Sequence, residues 1–215
     1  MFVKDQMSPH PYTTTPDSSI LAAQRLMKEN NIRHLPVINP AGELLGLLTR
    51  TTLEEVLPSK LTTLSVFELQ YQLDRIKVRD AMLRQVITTT EDVPIERAAR
   101  IMWENKIGCL PVMRGKRLVG IVTDHDLIDH MLDLLGARES GVRLTIQTPD
   151  QPGEIAKITT AIAQAGGDIT ALGACPAPEP LAWWMLLKVR YADQDALVKA
   201  INALPGIEVL DVRTD

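Results

Sequence analysis

Residues 110–127 read LPVMRGKRLVGIVTDHDL, and residues 35–53 read LPVINPAGELLGLLTRTTL. Each stretch runs from Leu-Pro-Val through a Gly-containing turn, then returns as Gly, two apolar residues and Thr into a polar segment. The kinship reaches further back. Shifting residues 3–38 by 75 places them on 78–113, with 17 of 36 pairs identical, among them Val3, Asp5 and Met7 on Val78, Asp80 and Met82. Past the turn the offset is 74, which sets Gly46, Thr49 and Leu53 on Gly120, Thr123 and Leu127. A hairpin loop can lose one residue without disturbing its strands, which locates the change in offset between Pro36 and Gly46. Such self-similarity means one structural unit used twice, each copy burying its apolar face on the other.

Within each copy the pattern predicts an extended Thr-rich stretch, a helix, a hairpin and a second helix. Asp17-Ser18-Ser19 supplies N-cap side chains before Ile20, Ala23 and Met27 at helical spacing. Pro94 suits a first helical position ahead of Ile95, Ala98 and Met102. Second helices are expected from about Thr52 and Asp126. The segment 53–77 reads as helical apart from Pro58-Ser59, with Thr62-Thr63-Leu64-Ser65 as a cap for its later part.

A break at Gly136–Gly141 separates this pattern from another. Strand 142–148, the turn Asp150-Gln151-Pro152-Gly153, a helix from Glu154 ended by Gly166-Gly167, strands 168–175 and 183–191, a helix capped by Asp193 and a last strand from Ile207 give the order βαββαβ. Asp150 is expected to cap the first helix or to serve a ligand. Trp183 and Trp184 point to opposite strand faces, so one indole should be core and the other should lie on the sheet surface. The divisions are 1–57 for the first repeat, 58–77 for a helical connector, 78–136 for the second repeat, 137–141 for a linker and 142–215 for the C-terminal unit. The fold class is α+β or α/β: tandem βαββα repeats in pseudo-twofold relation, then a ferredoxin-like unit.

Composition narrows the function. The chain has 45 % apolar and 23 % charged residues, as expected of a globular protein with real cores. A net charge of −4 argues against nucleic acid, which calls for a basic stripe. The longest apolar run, Leu181 to Val189, is strand length and far short of the roughly 20 residues of a membrane helix. The first repeat starts near Val3, so no signal peptide is expected and a cytoplasmic location is. Cys109 and Cys175 lack metal-ligand spacing and are expected as reduced core or near-core thiols.

The repeated unit, with its V-x-D-x-M opening, L-P-V strand and G-h-h-T-x-x-D turn into a helix, resembles a CBS motif. Two such motifs make a Bateman module, whose family role is adenine-nucleotide sensing. The C-terminal unit, with D-x-P-G at 150–153 and Gly166-Gly167-Asp168-Ile169, resembles an ACT domain, a module that binds amino acids at subunit interfaces. The order of the three, with Pro58-Ser59, Leu64-Ser65 and Glu68-Leu69 in the connector, resembles acetoin utilization proteins of the AcuB type.

The residues of the second repeat suit a nucleotide. Gly120 permits close backbone approach, Thr123 sits beside a helix N-terminus that favours phosphate, and Asp126 is placed to accept from a ribose cis-diol. Ile121, Cys109 and Leu110, with the adjoining Pro111 and His125, complete the expected lining. The resemblance gives Thr123 and Asp126 the same roles and places Asp80 near the sugar or base. Asp126 as a plain helix cap is the alternative. The first repeat has Thr52 in place of the carboxylate, so its site is expected empty or altered. Arg33-His34 replaces Gly108-Cys109, either as a phosphate contact for the second site or as solvated side chains. In the C-terminal unit, resemblance points to Asp150, Pro152, Gly153, Glu154, Ile155 and Asp168 as an amino-acid site. The alternative is a unit that only dimerises.

No catalytic constellation is apparent. His10, His34, His125 and His130 lack partners at nucleophile or metal spacing, and there is no phosphate-binding glycine loop. Asp124, Asp126, Asp129 and Asp133 read as a solvated helix face, with a cation between the last two as the alternative. The expectation is therefore a non-catalytic regulatory homodimer, without metal or catalytic cofactor. Its ligand would be AMP, ADP, ATP or S-adenosylmethionine, and it would act on a partner protein the sequence does not name. A ligand-free scaffold subunit is the alternative.

Overall fold

The computed structural model describes residues 1–56 and 75–214, so most of the predicted connector lies outside the described residues. Two compact units divide the chain, Met1–Leu127 and Ile128–Asp215.

In the first unit each copy begins with a four-residue helix, α1 (Val3–Gln6) and α4 (Val78–Ala81). The conserved spacing of the repeats has a local cause here. Asp5 Oδ2 accepts from Phe2 N at 2.8 Å and Asp80 Oδ2 from Lys77 N at 3.1 Å, each closing the start of its helix. Then follow β1 (Ser8–Pro9), α2 (Ile20–Glu29), β2 (His34–Ile38), β3 (Leu44–Thr49) and α3 (Arg50–Val56) in the first copy. The second copy supplies β4 (Thr89–Thr90), α5 (Ile95–Asn105), β5 (Cys109–Arg114), β6 (Arg117–Thr123) and α6 (Asp124–Leu134), which runs into the second unit. Ser19 is the N-cap of α2, accepting from Ala22 N at 3.2 Å, whereas Pro94 stands one residue before α5 rather than inside it. Helices α3 and α6 start two residues earlier than their patterns predict. The Thr-rich stretches are barely strands: Thr89–Thr90 is the whole of β4, and Thr14 makes only an isolated parallel bridge to Val37.

The copies exchange their openings. Val3 is buried with Ile95, Ala98, Met102, Leu110, Val112 and Val122, the core of the second repeat. Val78 is buried with Ile20, Ala23, Met27, Leu35, Val37, Leu48 and Leu53, the core of the first. Val3 N donates to Val93 O at 2.9 Å and Val78 N to Ser18 O at 3.0 Å, the same bond made twice with the copies swapped. Strand β1 accordingly pairs with β6, giving the sheet order β1-β6-β5-β4, while β2 and β3 form a separate hairpin. Leu47, Cys109 and Ile121 are buried together between the repeats, with Val86 against them.

The second unit holds β7 (Val142–Pro149), α7 (Glu154–Gln164), β8 (Asp168–Pro176), β9 (Ala182–Arg190), α8 (Gln194–Asn202) and β10 (Glu208–Thr214). Its sheet runs β10-β7-β9-β8, every neighbour antiparallel, which is the split-βαβ order. Leu144, Ile146, Met185, Leu187 and Val189 face Ile158, Ile162, Leu197 and Ile201 of the two helices. Three expectations are corrected here. Neither tryptophan is core: Trp183 shares the inward face with Met185 but sits near the strand start and is only half-buried, and Trp184 is exposed on the other face, its Nε1 donating to Gln147 Oε1 at 3.1 Å. Cys175 is exposed, since it pairs with Trp184 on the sheet face away from the helices. Asp150 does not cap α7, which is entered through Gly153 at φ 95° with no side-chain cap. Asp129 and Asp133 are exposed on α6, in keeping with a solvated helix face, and both are ion-paired with Arg138.

Candidate functional site

A cleft of about 560 Å3 opens in the first unit, lined by Ser8–Tyr12, Asn31–His34, Ile121, Thr123, His125 and Asp126. Three separate stretches converge there. The first follows from the exchanged opening: β1 lies along β6, with Ser8 opposite Ile121, so the Pro9-His10-Pro11 strap is carried onto the second repeat. The strap is fixed by His10, whose backbone is left-handed at φ 51° and whose N–H donates to Val119 O at 3.3 Å.

At the junction of β6 and α6 the Thr-x-x-Asp spacing makes a reciprocal cap. Asp126 Oδ2 accepts from Thr123 N at 2.7 Å and from Thr123 Oγ1 at 2.8 Å, and Asp126 N donates to Thr123 Oγ1 at 3.4 Å. Asp126 is half-buried, and its Oδ1 has no protein partner among the described residues. The first repeat builds the same cap from two hydroxyls: Thr49 N donates to Thr52 Oγ1 at 3.0 Å and Thr52 N to Thr49 Oγ1 at 3.2 Å. The cap therefore survives the Asp-to-Thr difference, and the carboxylate is what the first repeat lacks.

Arg33 and His34 are brought to this cleft. Arg33 Nη2 donates to Asp124 Oδ1 at 3.0 Å, an ion pair that joins the repeats while leaving the Arg33 side chain 55 % exposed. Gly108, at the sequence position matching Arg33, faces them: a Cβ there would touch both Asp124 Oδ2 and His34 at 3.4 Å. Burial holds the His34 imidazole below the ordinary histidine range, the Arg33 charge adds to this, and Asp124 opposes it.

Of the remaining expected residues, Cys109, Leu110 and Pro111 are buried behind the cleft rather than lining it, Pro111 lying opposite Ile121 in the strand register. Burial, and then Asp124, push the Cys109 thiol up to about 12, so it is no nucleophile. Asp80 is not brought to the cleft. It is exposed on α4, which packs with the first repeat because of the exchange. The strap residues Ser8–Tyr12 escaped the sequence reading, although Pro9-His10-Pro11 stands out against Arg84-Gln85-Val86 at the matching positions. Gly120 serves the fold, since Met7 fills the space its absent side chain leaves.

In the second unit the expected amino-acid site is not assembled. Asp150, Pro152, Gly153 and Ile155 are exposed around the start of α7, whereas Asp168 follows the end of this 11-residue helix, roughly 16 Å along its axis. Asp168 Oδ2 accepts from Arg190 Nε at 2.8 Å. Glu154 is buried, accepting from Lys157 Nζ at 2.6 Å.

The model of the CBS domain family matches residues 3–59 and 78–133, more than half of the chain. Among solved structures, a Vibrio cholerae protein assigned to acetoin utilization (AcuB) is 28 % identical, over 65 % of this chain and 96 % of its own, with a TM-score of 0.54. The CBS domain pair of protein MJ0100, solved with 5′-methylthioadenosine and S-adenosyl-L-methionine, is 28 % identical over 65 % and 98 %, with a TM-score of 0.51. CBSX2, solved with AMP, is 25 % identical over 61 % and 96 %, with a TM-score of 0.53. By sequence, 32 % identity relates 61 % of the chain to 92 % of an uncharacterized Methanocaldococcus jannaschii protein. The same identity relates 58 % of it to only 22 % of that organism's L-aspartate semialdehyde sulfurtransferase.

Proposed function

The chain belongs to the CBS domain family, and from that premise we propose that it is a regulatory protein whose second repeat binds an adenine nucleotide or related adenosyl ligand. The observation that carries this reading is the convergence of Arg33, His34, Ile121, Thr123, His125 and Asp126 on one cleft, from segments about 90 residues apart in the chain. Each suits one part of the ligand. Ile32, Ile121 and Tyr12 offer apolar surface for a base, Asp126 Oδ1 an acceptor for the ribose hydroxyls, and Arg33 with the histidines donors for a 5′ anion. The adenosyl ligands of the MJ0100 pair and the AMP of CBSX2 support the ligand class. Because the cleft draws on both repeats and on the exchanged strap, a ligand there would favour one arrangement of the repeats, which is the linkage regulation requires.

We assign the βαββαβ unit as an ACT domain that holds the protein as a homodimer. Two copies would be needed to bring the Asp150 end of α7 to the Asp168 end. The AcuB likeness supports a place in acetoin or short-chain carbon metabolism, acting on a partner protein in the cytoplasm. One observation favours the scaffold alternative, namely that Asp126 Oδ2 is already engaged in the cap. Calorimetric titration of AMP and 5′-methylthioadenosine into wild type and Asp126→Ala separates the two. Loss of a charge-assisted ribose contact should weaken binding by roughly 10- to 150-fold. Absence of binding by folded wild type would leave the scaffold reading in place.

A further inference from the structure

A second cleft, of about 440 Å3, adjoins the first along Asn31, Ile32 and Arg33, which line both. It lies between the end of α2 and the start of α3. The shared wall is a fixed ridge: Asn31 is left-handed at φ 51°, and Ile32 N donates to Met27 O at 2.9 Å. The charge of this cleft runs against that of the chain. Lys28, Arg33 and Arg50 line it with a single carboxylate, Glu54. Glu54 Oε1 accepts from Arg50 Nε at 2.8 Å and Asp124 from Arg33 Nη2. Each takes one N–H of a guanidinium that carries five. Lys28 has no carboxylate partner among the described residues.

We propose that the two clefts form one bipartite site for a nucleoside di- or triphosphate, with the nucleoside in the first cleft, Arg33 at the α-phosphate, and Lys28 and Arg50 receiving the terminal phosphates in the second. This rests on the reading of the first cleft given above. A guanidinium at the ridge matches phosphate geometry, and an ammonium beyond it acts as a point charge for the outer oxygens. A sulfonium at the same place would meet the like charge of Arg33. A monophosphate would use the first cleft and the ridge alone.

The test is equilibrium titration of AMP, ADP and ATP, in magnesium-free buffer, into wild type, Lys28→Ala, Arg50→Ala and Asp126→Ala. Arg50 is 71 % exposed in its side chain, and circular dichroism checks that each variant is folded. Wild type should bind ATP at least about tenfold more tightly than AMP, with the difference shrinking as salt is added. Lys28→Ala and Arg50→Ala should each reduce that difference severalfold and leave AMP affinity unchanged. Equal affinity for AMP and ATP, or variants that weaken both alike, overturns the bipartite site. If AMP binds, loses affinity in Asp126→Ala and is matched by ATP, the first-cleft reading stands and only this extension fails. Binding of no nucleotide overturns the bipartite site, and if 5′-methylthioadenosine also fails to bind, the first-cleft reading falls with it.

Discussion

Met7 occupies the notch that Gly120 leaves in β6: a Cβ at position 120 would overlap the Met7 Sδ. The first repeat repeats the arrangement with Met82 at Gly46, where a Cβ would stand 2.8 Å from Met82 Sδ and 2.7 Å from the Leu83 carbonyl. Both glycines are thus fixed by the exchanged openings. The difference between them makes a prediction. Overpacking costs about 1–3 kcal/mol, and Gly120→Ala should fall at the low end because a thioether can turn aside. Gly46→Ala should reach the high end because a backbone carbonyl cannot. Adding Met7→Ala should recover part of the Gly120→Ala loss, whereas Met82→Ala should not rescue Gly46→Ala. Urea unfolding of the four variants and the two double mutants measures these couplings; equal rescue at both sites would contradict the account.

The cap that Asp126 makes and the ribose contact proposed for it can be separated by substitution. Asn keeps an oxygen able to accept from Thr123 N in the reciprocal cap but removes a negative charge from the first turn of α6, so Asp126→Asn should cost about 0.3–1 kcal/mol. Asp126→Ala should lose about 1 kcal/mol. Both should lose ligand affinity, because neither offers a charge to the ribose. Thermal melts with and without AMP read both effects, and an Asn variant that binds like wild type would reduce Asp126 to a cap.

The repeat, the hairpins and the βαββαβ order were all legible because they depend on local spacing: Leu-Pro-Val at two places, glycines at two turns, Asp193 before a helix. The candidate cleft was legible at Ile121, Thr123, His125 and Asp126, which are local to one hairpin and turn, and at Arg33 and His34 through their contrast with Gly108-Cys109. Self-comparison establishes that Val3–Met7 and Val78–Met82 are equivalent, but equivalence is blind to which repeat each one packs on. That choice moved Asp80 away from the cleft and brought Ser8–Tyr12 into it. Cys175 failed for a related reason: strand pairing sets it on one face with Trp184, but the side that receives the helices is a tertiary fact.

The two thiols differ in a way that alkylation reads directly. Cys109 is buried and its pKa is pushed up to about 12, whereas Cys175 is exposed. Native protein at pH 8 should gain one iodoacetamide adduct, at Cys175, and the second only on unfolding. Peptide mass mapping of a time course checks this. Rapid labelling of Cys109 in folded protein would mean that the core between the repeats opens readily.

The depressed His34 pKa gives a pH dependence with a definite sign. Burial disfavours its charged form in the folded chain, so the unfolded state binds the proton first as pH falls. Stability should therefore decline as pH drops below about 6.5, the unperturbed histidine value. The decline should level off once pH passes the folded value. His34→Gln should flatten part of this slope between pH 7 and 5 while leaving melting at pH 8 close to that of wild type. A slope unchanged in the variant would assign the effect to other groups.

In the second unit the buried Glu154 depends on Lys157. The Glu154 side chain is 6 % exposed, its Oε1 accepts from Lys157 Nζ at 2.6 Å, and Thr148 Oγ1 stands 3.5 Å from Oε2. Removing the ammonium leaves a charge with weak compensation at the entrance to α7, although Lys157 is itself half exposed and water can reach its place. Lys157→Met should therefore cost about 1–3 kcal/mol, less than breaking a fully buried pair. Glu154→Gln in the Lys157→Met background should recover most of that loss, because a neutral amide keeps the contact with Thr148 and removes the unpaired charge. Chemical denaturation of the single and double variants decides it: no recovery would mean that Lys157 stabilises the unit by packing its stem rather than by its charge.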